Sequence, residues 1–327
     1  MSSSSSQIEV DSDTSDYDYE TSFNSSTASL TSSINEYIFG ADGRRYHAYF
    51  GPEKNLLPTD EIEQDRLDMY HEIMLQLRSE LHQSPLAEPH NILDVGTGTG
   101  IWAIDMADKY PMAQVIGIDL TPIQPKWVPP NCKFEVDDAE REWTFKPDYF
   151  DFIHARTVSH SIGDWPKLLS QAYICCKPGG FVELLEFEMA TFCDDGTMAD
   201  DNPMKVFFDL LAKALAKIGR PGVTTASLRK NLEDAGFVDI NVIQTKQPIG
   251  AWPKNKRMKQ IGVMTMVNGE TAFNAYGYQS FTRILGMGHD EAEKICKDAV
   301  EAMSNRNYHL YFMNDVAYGR KPREDEC

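Results

Sequence analysis

The sequence predicts a doubly wound α/β fold, in which helices cover both faces of a mostly parallel sheet of seven strands. Short apolar segments alternate along the chain with amphipathic segments of helical period, which is the order of elements that builds such a sheet. One strand, at residues 91–95, runs into a glycine-rich turn that opens a helix, as the first strand of such folds commonly does. A length of 327 residues accommodates one such domain with added elements.

The elements follow in order from a helix over residues 61–81, whose apolar side chains recur at the helical period along one face. Strands are expected at 91–95, 113–120, 132–138, 149–155, 179–188 and 308–322, helices at 101–110, 164–176, 203–217 and near 290–303, and a helix followed by a strand within 224–245. Two stretches, near residues 191–222 and 247–303, interrupt the alternation and are expected to form helical lid insertions.

Residues 1–35 are expected to be a disordered tail, because Ser, Thr and Asp dominate them and aliphatic residues are few. Residues 36–325 are expected to form the folded domain. The start of the chain lacks the basic and apolar segments of a signal peptide, and no stretch has the ~18 consecutive apolar residues that span a bilayer. The expected location is therefore cytoplasmic or nuclear, with no membrane association.

A formal net charge of -19 argues against a nucleic-acid partner, because affinity for nucleic acid comes mainly from Lys and Arg side chains that displace counterions. The same charge permits attraction to a basic protein partner, although a solubility role is the more common explanation. The cysteines form no Cys-x-x-Cys pair, and no His is placed at a zinc-ligand spacing. No metal site is predicted.

The strongest functional signal is the turn that begins at Asp94 and ends at Gly100, between an apolar strand and a helix. Its glycines would let the backbone approach a ligand closely. A dinucleotide-binding turn would have its third glycine one position later, where this chain has Ile101. The carboxylate of Asp94 suits a ligand that carries an ammonium and a sulfonium, whereas it would repel a pyrophosphate. The turn therefore favours S-adenosyl-L-methionine, with candidate contacts at Asp94, Gly96, Thr97, Gly98 and Gly100.

Further features follow the next strands in the order expected for a nucleoside cofactor. Asp119 ends a strand, where a carboxylate can accept hydrogen bonds from both ribose hydroxyls, and Leu120 would offer an apolar surface to adenine. Asp138 and Ala139 follow the third strand, where the acid can accept a hydrogen bond from the adenine amino group; a solvated acidic turn is the alternative. A Pro-Gly turn at residues 177–180 joins a helix to a strand. Together these features coincide with the sequential motifs of class I, Rossmann-like methyltransferases.

Beyond these motifs, the chain resembles the LaeA-like methyltransferases of filamentous fungi, a family tied to secondary metabolism. The resemblance covers residues 36–322 and is carried by segments that are specific to that family. They are GRRYHAY, DEIEQDRLDMYH, ILDVGTGTGIWAIDMADKY, VIGIDLTPIQPKWVPPN, DDAEREWT, FDFIHAR, DWPKLLSQAYICCKPGG, LRKNLEDAGF and NRNYHLYF. The DDAE segment looks more like the general family form than like that of the founding regulator.

This resemblance implies a class I methyltransferase fold with S-adenosyl-L-methionine as cofactor. It also implies cofactor contacts at Tyr46, Asp94, Gly96, Gly98, Gly100, Asp119, Leu120, Asp138, Ala139 and His154. Some members resemble the founding nuclear regulator, which works with velvet-type partners, whereas others methylate small pathway intermediates or pair with related methyltransferases. The implied partners are a small-molecule methyl acceptor and, as an open alternative, a protein partner in a homodimer or heterodimer.

Methyl transfer to a hydroxyl or a protonated amine also needs a general base. His160 is the first candidate, because it follows the fourth strand and ligands of open α/β sheets bind beyond the carboxyl ends of the strands. A histidine at such a position is more often a hydrogen-bonded structural residue. Arg156 is expected to hold this loop rather than to contact substrate. Glu186 and Glu188, at the end of the fifth strand, are further candidate bases.

The second insertion is rich in methionine and aromatic residues, a composition that suits a flat apolar substrate. These residues are Met258, Met264, Met266, Phe273, Tyr276, Tyr278 and Phe281. The alternative is that they pack into the lid's own core or into a dimer contact. The leading hypothesis is an enzyme that methylates an oxygen or nitrogen of a small secondary-metabolite intermediate. A regulatory methyltransferase acting through protein partners and a non-catalytic cofactor-binding scaffold are the alternatives.

Overall fold

The computed structural model describes Ile34 and residues 36–51 and 54–326 of the chain. The disordered tail predicted for residues 1–35 therefore lies outside the described residues, apart from Ile34. The described part begins with a small antiparallel hairpin of β1 (Tyr37–Phe39) and β2 (Arg45–His47), which is separate from the large sheet. No helix within these ranges is long and apolar enough to cross a membrane.

The large sheet has the predicted doubly wound, mostly parallel architecture. Its strands are β3 (Asn91–Val95), β4 (Gln114–Asp119), β5 (Cys132–Val136), β6 (Phe150–Arg156), β7 (Cys176–Phe187), β8 (Phe192–Cys193), β9 (Val238–Pro248) and β10 (Leu310–Arg320). Their order is β5-β4-β3-β6-β7-β10-β9, with β10 antiparallel to both neighbours and β8 paired to its first two residues. All seven predicted strands are present, and the two-residue β8 is an eighth that the sequence did not predict.

Helices cover both faces of this sheet. They are α1 (Glu61–Arg78), α2 (Ile101–Lys109), α3 (Trp165–Cys175), α4 (Pro203–Lys217), α5 (Thr225–Asp234), α6 (Lys256–Gln279) and α7 (His289–Met303). A π-helical turn, Ser280–Ile284, continues α6, and a 3-10 turn, Glu324–Glu326, ends the described chain. The bounds of α4 match the prediction, because Asn202 caps its first turn and a proline occupies its first position.

The 24-residue α6 lies within the second predicted helical insertion, although its bounds were not predicted from the sequence. Its glycines weaken a helical pattern, because glycine is a poor helix former. Two of them are explained by close packing. A Cβ at Gly262 would overlap the carbonyl oxygen of Gly250, and a Cβ at Gly269 would overlap the sulfur of Met303. Tertiary contacts therefore override the low intrinsic propensity of this segment.

The turn predicted at residues 177–180 is instead a bulge inside β7. The helix α3 passes directly into this strand, and the pairing with β6 joins Phe150 to Cys176 but Phe152 to Phe181. The extra residues of β7 are accommodated where Gly179 adopts a φ of 81°, in the left-handed region that favours glycine. The predicted turn was wrong because Pro and Gly indicate only that the backbone departs locally from regular structure. A bulge within a strand is such a departure, as is a turn.

The hydrophobic core is divided between the sheet and the inserted helices. On one face of the sheet the core includes Trp165 of α3, and on the other it includes Trp102 of α2. A further cluster joins α4, α6 and α7 around Phe207. Phe187 at the end of β7 and Leu310 at the start of β10 belong to it, so the insertions lie at the carboxyl edge of the parallel strands.

Candidate active site

Two neighbouring cavities lie at the carboxyl edge of the parallel strands. The first, which we call the strand-end cleft, is formed by the segments after β3, β4, β5 and β6, where the strand order reverses around β3. Open α/β sheets bind ligands at this switch point. The cleft encloses about 1150 Å³, solvent at its mouth included. The predicted site residues that line it are Gly96, Thr97, Gly98, Asp119, Leu120, Asp138, Ala139 and His160.

The glycine-rich turn presents its backbone to this cleft. The N–H groups of Gly96 and Thr97 donate to the carbonyl oxygen of Ile118 at 2.9 and 3.0 Å, which holds the turn against β4. Gly96 and Gly98 have φ values of 69° and 58°, which favour glycine. The N–H of Gly98 donates to Oδ2 of Asp119 at 2.8 Å. Backbone from β3 and a carboxylate from β4 therefore form one wall of the cleft.

Gly100 lies at the end of the turn, outside the lining of the strand-end cleft, and precedes the first residue of α2 with a φ of 81°. A Cβ at this position would overlap the ring of Phe134 in β5. The position therefore requires glycine for its backbone conformation and for the packing of the turn on β5, and its contact with the cofactor stays a prediction.

Asp94 and His154 lie behind the glycine-rich turn and outside the lining of the cleft. Oδ2 of Asp94 accepts from the hydroxyl of Thr97 at 2.6 Å, and Oδ1 is 2.8 Å from Nδ1 of His154. The imidazole stacks on Trp102, with ring centroids 3.7 Å apart. These contacts support the turn from behind, and the predicted contacts of both residues with the cofactor stay predictions.

Tyr46, a further predicted cofactor contact, lies away from the strand-end cleft. Its side chain is buried at the β1–β2 hairpin, and its hydroxyl donates to Oδ2 of Asp42 at 2.7 Å. Burial raises the pKa of Tyr46 far above its usual value. The residue lines a separate hollow between the hairpin and the end of α6, so the structure does not bring it to the strand-end cleft.

Asp119 and Asp138 do lie in the cleft. Oδ1 of Asp119 accepts from the N–H and the hydroxyl of Thr121 at 2.9 and 2.8 Å, and burial raises the pKa of Asp119. Since a carboxylate offers about four acceptor positions, Asp119 keeps one for a ligand hydroxyl beside its bond to Gly98. Asp138 pairs with Nζ of Lys54 at 3.1 Å. This lysine could not be predicted as a site residue, because it belongs to a segment without a motif.

The helix α1 supplies a wall that the sequence analysis did not assign to the site. Glu63, Arg66, Leu67 and Tyr70 line the strand-end cleft from this helix. Nε and Nη2 of Arg66 donate to the carboxylate of Glu63 at 2.9 and 2.7 Å, and both side chains are almost fully buried. Glu63 and Arg66 are three positions apart on the buried face of an amphipathic helix. This spacing is the sequence feature from which their ion pair could have been predicted.

His160 lines the cleft, but its environment argues against the predicted role of general base. Burial, followed by the positive charges of Arg220 and Arg66, lowers the pKa of His160 to about 3. Nδ1 is buried without a hydrogen-bond partner among the described residues. The imidazole is therefore neutral at physiological pH and too weak a base to hold a substrate proton.

The other candidates in this region have structural partners. Nη1 of Arg156 lies 3.0 Å from Nδ1 of His71, whose Nε2 is 2.8 Å from Asp105, so Arg156 ties β6 to α1 and α2 while lining the cleft. Glu186 accepts from the N–H of Val158 at 2.7 Å, and burial raises the pKa of Glu186 to about 7. Neither Glu186 nor Glu188 lines the cleft. Both therefore lack the contact with it that a base requires.

The second space, which we call the helical cavity, adjoins the cleft and encloses about 560 Å³. Arg66, Tyr70 and Tyr276 line both spaces. The remaining wall is mostly apolar and comes from β7, β9, β10 and the inserted helices. It consists of Phe187, Phe207, Phe208, Gln247, Thr265, Asn268, Gly269, Ala272, Phe273, Met303 and Phe312. Both predicted insertions thus contribute to one pocket beside the strand-end cleft.

The polar side chains contributed by β9 and α6 to the helical cavity are hydrogen-bonded within the protein. The amide nitrogen of Gln247 donates to the hydroxyl of Thr265 at 2.8 Å, and its amide oxygen accepts from Asn314 at 2.7 Å. The amide nitrogen of Asn268 donates to the carbonyl oxygen of Arg66 at 2.7 Å. These bonds leave the wall effectively apolar, apart from the side chains at the junction with the cleft.

The methionine and aromatic residues of the second insertion divide between the two predicted roles. Phe273 and Tyr276 line the helical cavity. Tyr278 and Phe281 belong to the core of the inserted helices, against which Met266 packs, and Met258 and Met264 pack on the sheet beside Leu185 and Val316. One segment therefore contains both cavity-lining positions and core positions, which composition alone does not separate.

The strand order, the glycine-rich turn after β3 and the acid at the end of β4 define a class I methyltransferase. A family model described as a methyltransferase domain matches residues 68–242, more than half of the chain. The predicted class is thereby confirmed, and the protein is an S-adenosylmethionine-dependent methyltransferase.

Named relatives narrow the assignment. Methyltransferase pytC of Aspergillus terreus is 39% identical over 320 residues, which cover 97% of this chain and 96% of that protein. The secondary metabolism regulator LAE1 of Cochliobolus heterostrophus is 37% identical over 291 residues, covering 86% and 94%. The protein-methionine methyltransferase laeA of Emericella nidulans is 31% identical over 287 residues, covering 86% and 76%. The chain therefore belongs to the LaeA-like family of methyltransferases.

Proposed function

We propose that this protein methylates an oxygen or nitrogen of a small, largely apolar secondary-metabolite intermediate. One observation carries the proposal: an apolar cavity adjoins the strand-end cleft and shares Arg66, Tyr70 and Tyr276 with it. Pockets of several hundred cubic ångströms with apolar walls and a few polar groups are typical of small-molecule sites. The acceptor would occupy the helical cavity and present its reacting atom at the junction.

The strand-end cleft fits S-adenosyl-L-methionine, which supplies an electrophilic methyl group when bound. Asp119 retains an acceptor position for a ribose hydroxyl, and Leu120 offers an apolar surface for adenine. Asp138 and Ala139 border the same end of the cleft. These residues would fix the cofactor's orientation, and positioning of two reactants can lower a barrier by about 7 to 11 kcal/mol in favourable intramolecular systems.

A regulatory methyltransferase that acts through protein partners is the second candidate. It is favoured by the relatives that are named secondary metabolism regulators, at 37% identity for LAE1. The metabolic role is favoured by the helical cavity and by the 39% identity to a protein named methyltransferase pytC. A scaffold that binds the cofactor without turnover is the third candidate, and all three predict cofactor binding.

The deciding experiment is untargeted metabolite profiling of a deletion strain complemented with wild type, with Gly98→Asp or with Gly286→Asp. Gly98→Asp introduces a second carboxylate beside Asp119 at a positive φ and should abolish cofactor binding. Gly286→Asp is the matched control, since its φ is also positive, no atom lies within 4 Å of the added Cβ, and it does not line the cleft.

The expected result is loss of one methylated compound in the deletion and Gly98→Asp strains, with accumulation of a precursor about 14 mass units lighter. The Gly286→Asp strain should match wild type. Broad loss of unrelated metabolites would instead support the regulator. A Gly98→Asp strain with the wild-type metabolite profile would support the scaffold and contradict the proposed enzyme.

A further inference from the structure

The junction between the two spaces is where a methyl group would pass from donor to acceptor. Arg66, Tyr70 and Tyr276 line both spaces, so any acceptor atom close to the strand-end cleft lies near these side chains. Tyr70 directs its hydroxyl to Oδ1 of Asn314 at 3.3 Å. The groups that remain to meet an acceptor are therefore those of Arg66 and Tyr276.

Arg66 is a fixed donor at this junction. Glu63 engages Nε and Nη2, and the guanidinium carbon lies 5.3 Å from the ring centroid of Tyr276. Among the described residues, Nη1 has no hydrogen-bond partner. A guanidinium remains protonated in proteins, so this nitrogen can donate but cannot accept a proton. Because its two other anchors hold the side chain in place, binding an acceptor would cost little additional side-chain entropy.

Tyr276 offers a second donor beside Arg66. Its hydroxyl has no hydrogen-bond partner within the described ranges, and its ring packs edge-on against His160 with centroids 5.5 Å apart. Burial raises the pKa of Tyr276 to about 12. The phenol therefore stays protonated at physiological pH and donates its proton in hydrogen bonds. Two donors from α1 and α6 thus converge on one boundary.

Among the described residues that line the strand-end cleft or the helical cavity at this boundary, no side chain is suited to remove a proton from an acceptor. His160 is too weak a base, and the carboxylate of Glu63 is held in an ion pair with the guanidinium of Arg66. The amide oxygen of Gln247 is engaged by Asn314. Glu186, whose pKa burial raises to about 7, lines neither space. An acceptor that needs deprotonation would therefore find no base in the lining of the boundary, whereas an acceptor that is already an anion would meet two donors.

We propose that the acceptor is an acidic hydroxyl, a phenol or an enol, that enters the helical cavity as its oxyanion and is held by Nη1 of Arg66 and the hydroxyl of Tyr276. This inference rests on the proposed function and narrows it to O-methylation. The hydroxyl proton passes to solvent before binding. The oxyanion then attacks the methyl carbon, an O–C bond forms, and the S–C bond breaks with its electron pair left on sulfur. The products are a methyl ether and neutral S-adenosylhomocysteine.

Two probes of similar shape test this proposal on the full chain saturated with S-adenosylhomocysteine. 4-Nitrophenol ionises near neutral pH and its visible absorbance reports the phenolate, whereas 4-nitrotoluene is neutral. At a pH where 4-nitrophenol is ionised, calorimetry should show binding at least about tenfold tighter for the phenolate than for 4-nitrotoluene, since hydrogen bonds to a charged group are the stronger ones. Absorbance titration should show a lowered pKa for the bound phenol.

Two variants remove the donors separately. Tyr276→Phe deletes one hydroxyl and should weaken phenolate binding by about three- to tenfold. The pair Glu63→Gln with Arg66→Gln removes the guanidinium without leaving Glu63 buried and unpaired, and should weaken phenolate binding by about tenfold or more. Binding of 4-nitrotoluene should stay the same in both. Tyr278→Phe is the matched control, because it deletes a hydroxyl from the same helix outside both spaces.

Each outcome decides between the two proposals. Equal binding of both probes, or a raised pKa for bound 4-nitrophenol, overturns the oxyanion inference and leaves the proposed function standing. Phenolate binding that is unaffected by either donor variant also overturns it. Binding of neither probe contradicts a small-molecule acceptor in the helical cavity and thus the proposed function itself.

Discussion

The strand-end cleft and the helical cavity share three side chains, yet their walls are built in opposite ways. Most of the cleft is formed by residues a few positions beyond the ends of neighbouring strands, so short segments specify the larger part of it. The helical cavity collects side chains from β7, β9, β10 and the inserted helices, which are far apart along the chain. The difference shows why a donor site can be recognised from motifs, whereas acceptor specificity depends on long-range packing.

The largest effect should come from Phe207, which is buried in the core of the inserted helices and lines the helical cavity. Phe207→Ala should lower the free energy of unfolding by about 3 to 5 kcal/mol, because it deletes a buried aromatic side chain. Urea denaturation measures this, and Phe39→Ala, at a side chain that is 75% exposed, is the control. If the two spaces are built independently, affinity for S-adenosylhomocysteine should change less than about twofold. A large loss of that affinity would contradict the comparison.

Substitutions at two glycines of the same turn should then differ in their effect on the stability of the protein. Gly100→Ala should destabilise the protein by about 3 kcal/mol, because the Cβ would overlap Phe134 at a positive φ. Gly98→Ala should cost about 1 kcal/mol, because the nearest atom, Cδ1 of Leu67, is 3.5 Å from the added Cβ. Thermal and urea unfolding of both variants check the difference. Equal losses of stability would show that Gly100 has no special packing role.

The pH dependence of stability should reveal the buried Glu186. Its folded pKa of about 7 lies above the ordinary value of 4.5, so the folded state retains the proton to higher pH. The protonated Glu186 therefore contributes fully to the free energy of unfolding below the unfolded pKa, and this contribution is lost as the pH rises through about 7. Glu186→Gln should remove this loss and gain about 2 kcal/mol relative to wild type between pH 5 and pH 8. The exposed Glu72→Gln is the control, and parallel pH profiles of wild type and Glu186→Gln would contradict the assignment.

The smallest effect should come from Leu120, whose side chain lines the strand-end cleft. Leu120→Ala removes part of an apolar surface and should weaken S-adenosylhomocysteine binding by about tenfold, with little change in unfolding free energy. Calorimetry measures the affinity. Val206→Ala, on the exposed side of α4, is a control that lies outside both spaces and should leave the affinity unchanged.

The sheet and most of the strand-end cleft could be predicted because their signals are local. Alternation of strands and helices predicts the topology, and Asp119 can be placed because it ends a strand beside the turn. The roles of Asp94 and Gly100 could not be assigned, because a motif shows which residues are near a turn but not which side they face. The second insertion was predicted to be helical, but the bounds of α6 were not, because its glycines are favourable only through contacts with distant residues such as Met303.

The position of α1 has a consequence for how such proteins diversify. One helix supplies Leu67 to the strand-end cleft and Arg66 to both spaces, while Asp68 accepts from the hydroxyl of Thr99 at 2.6 Å. The helical cavity therefore cannot be inherited as an independent module. New substrate specificities should arise by substitution within α4, α6 and α7. Substitutions in α1 should be tolerated less often, because its side chains line both the strand-end cleft and the helical cavity.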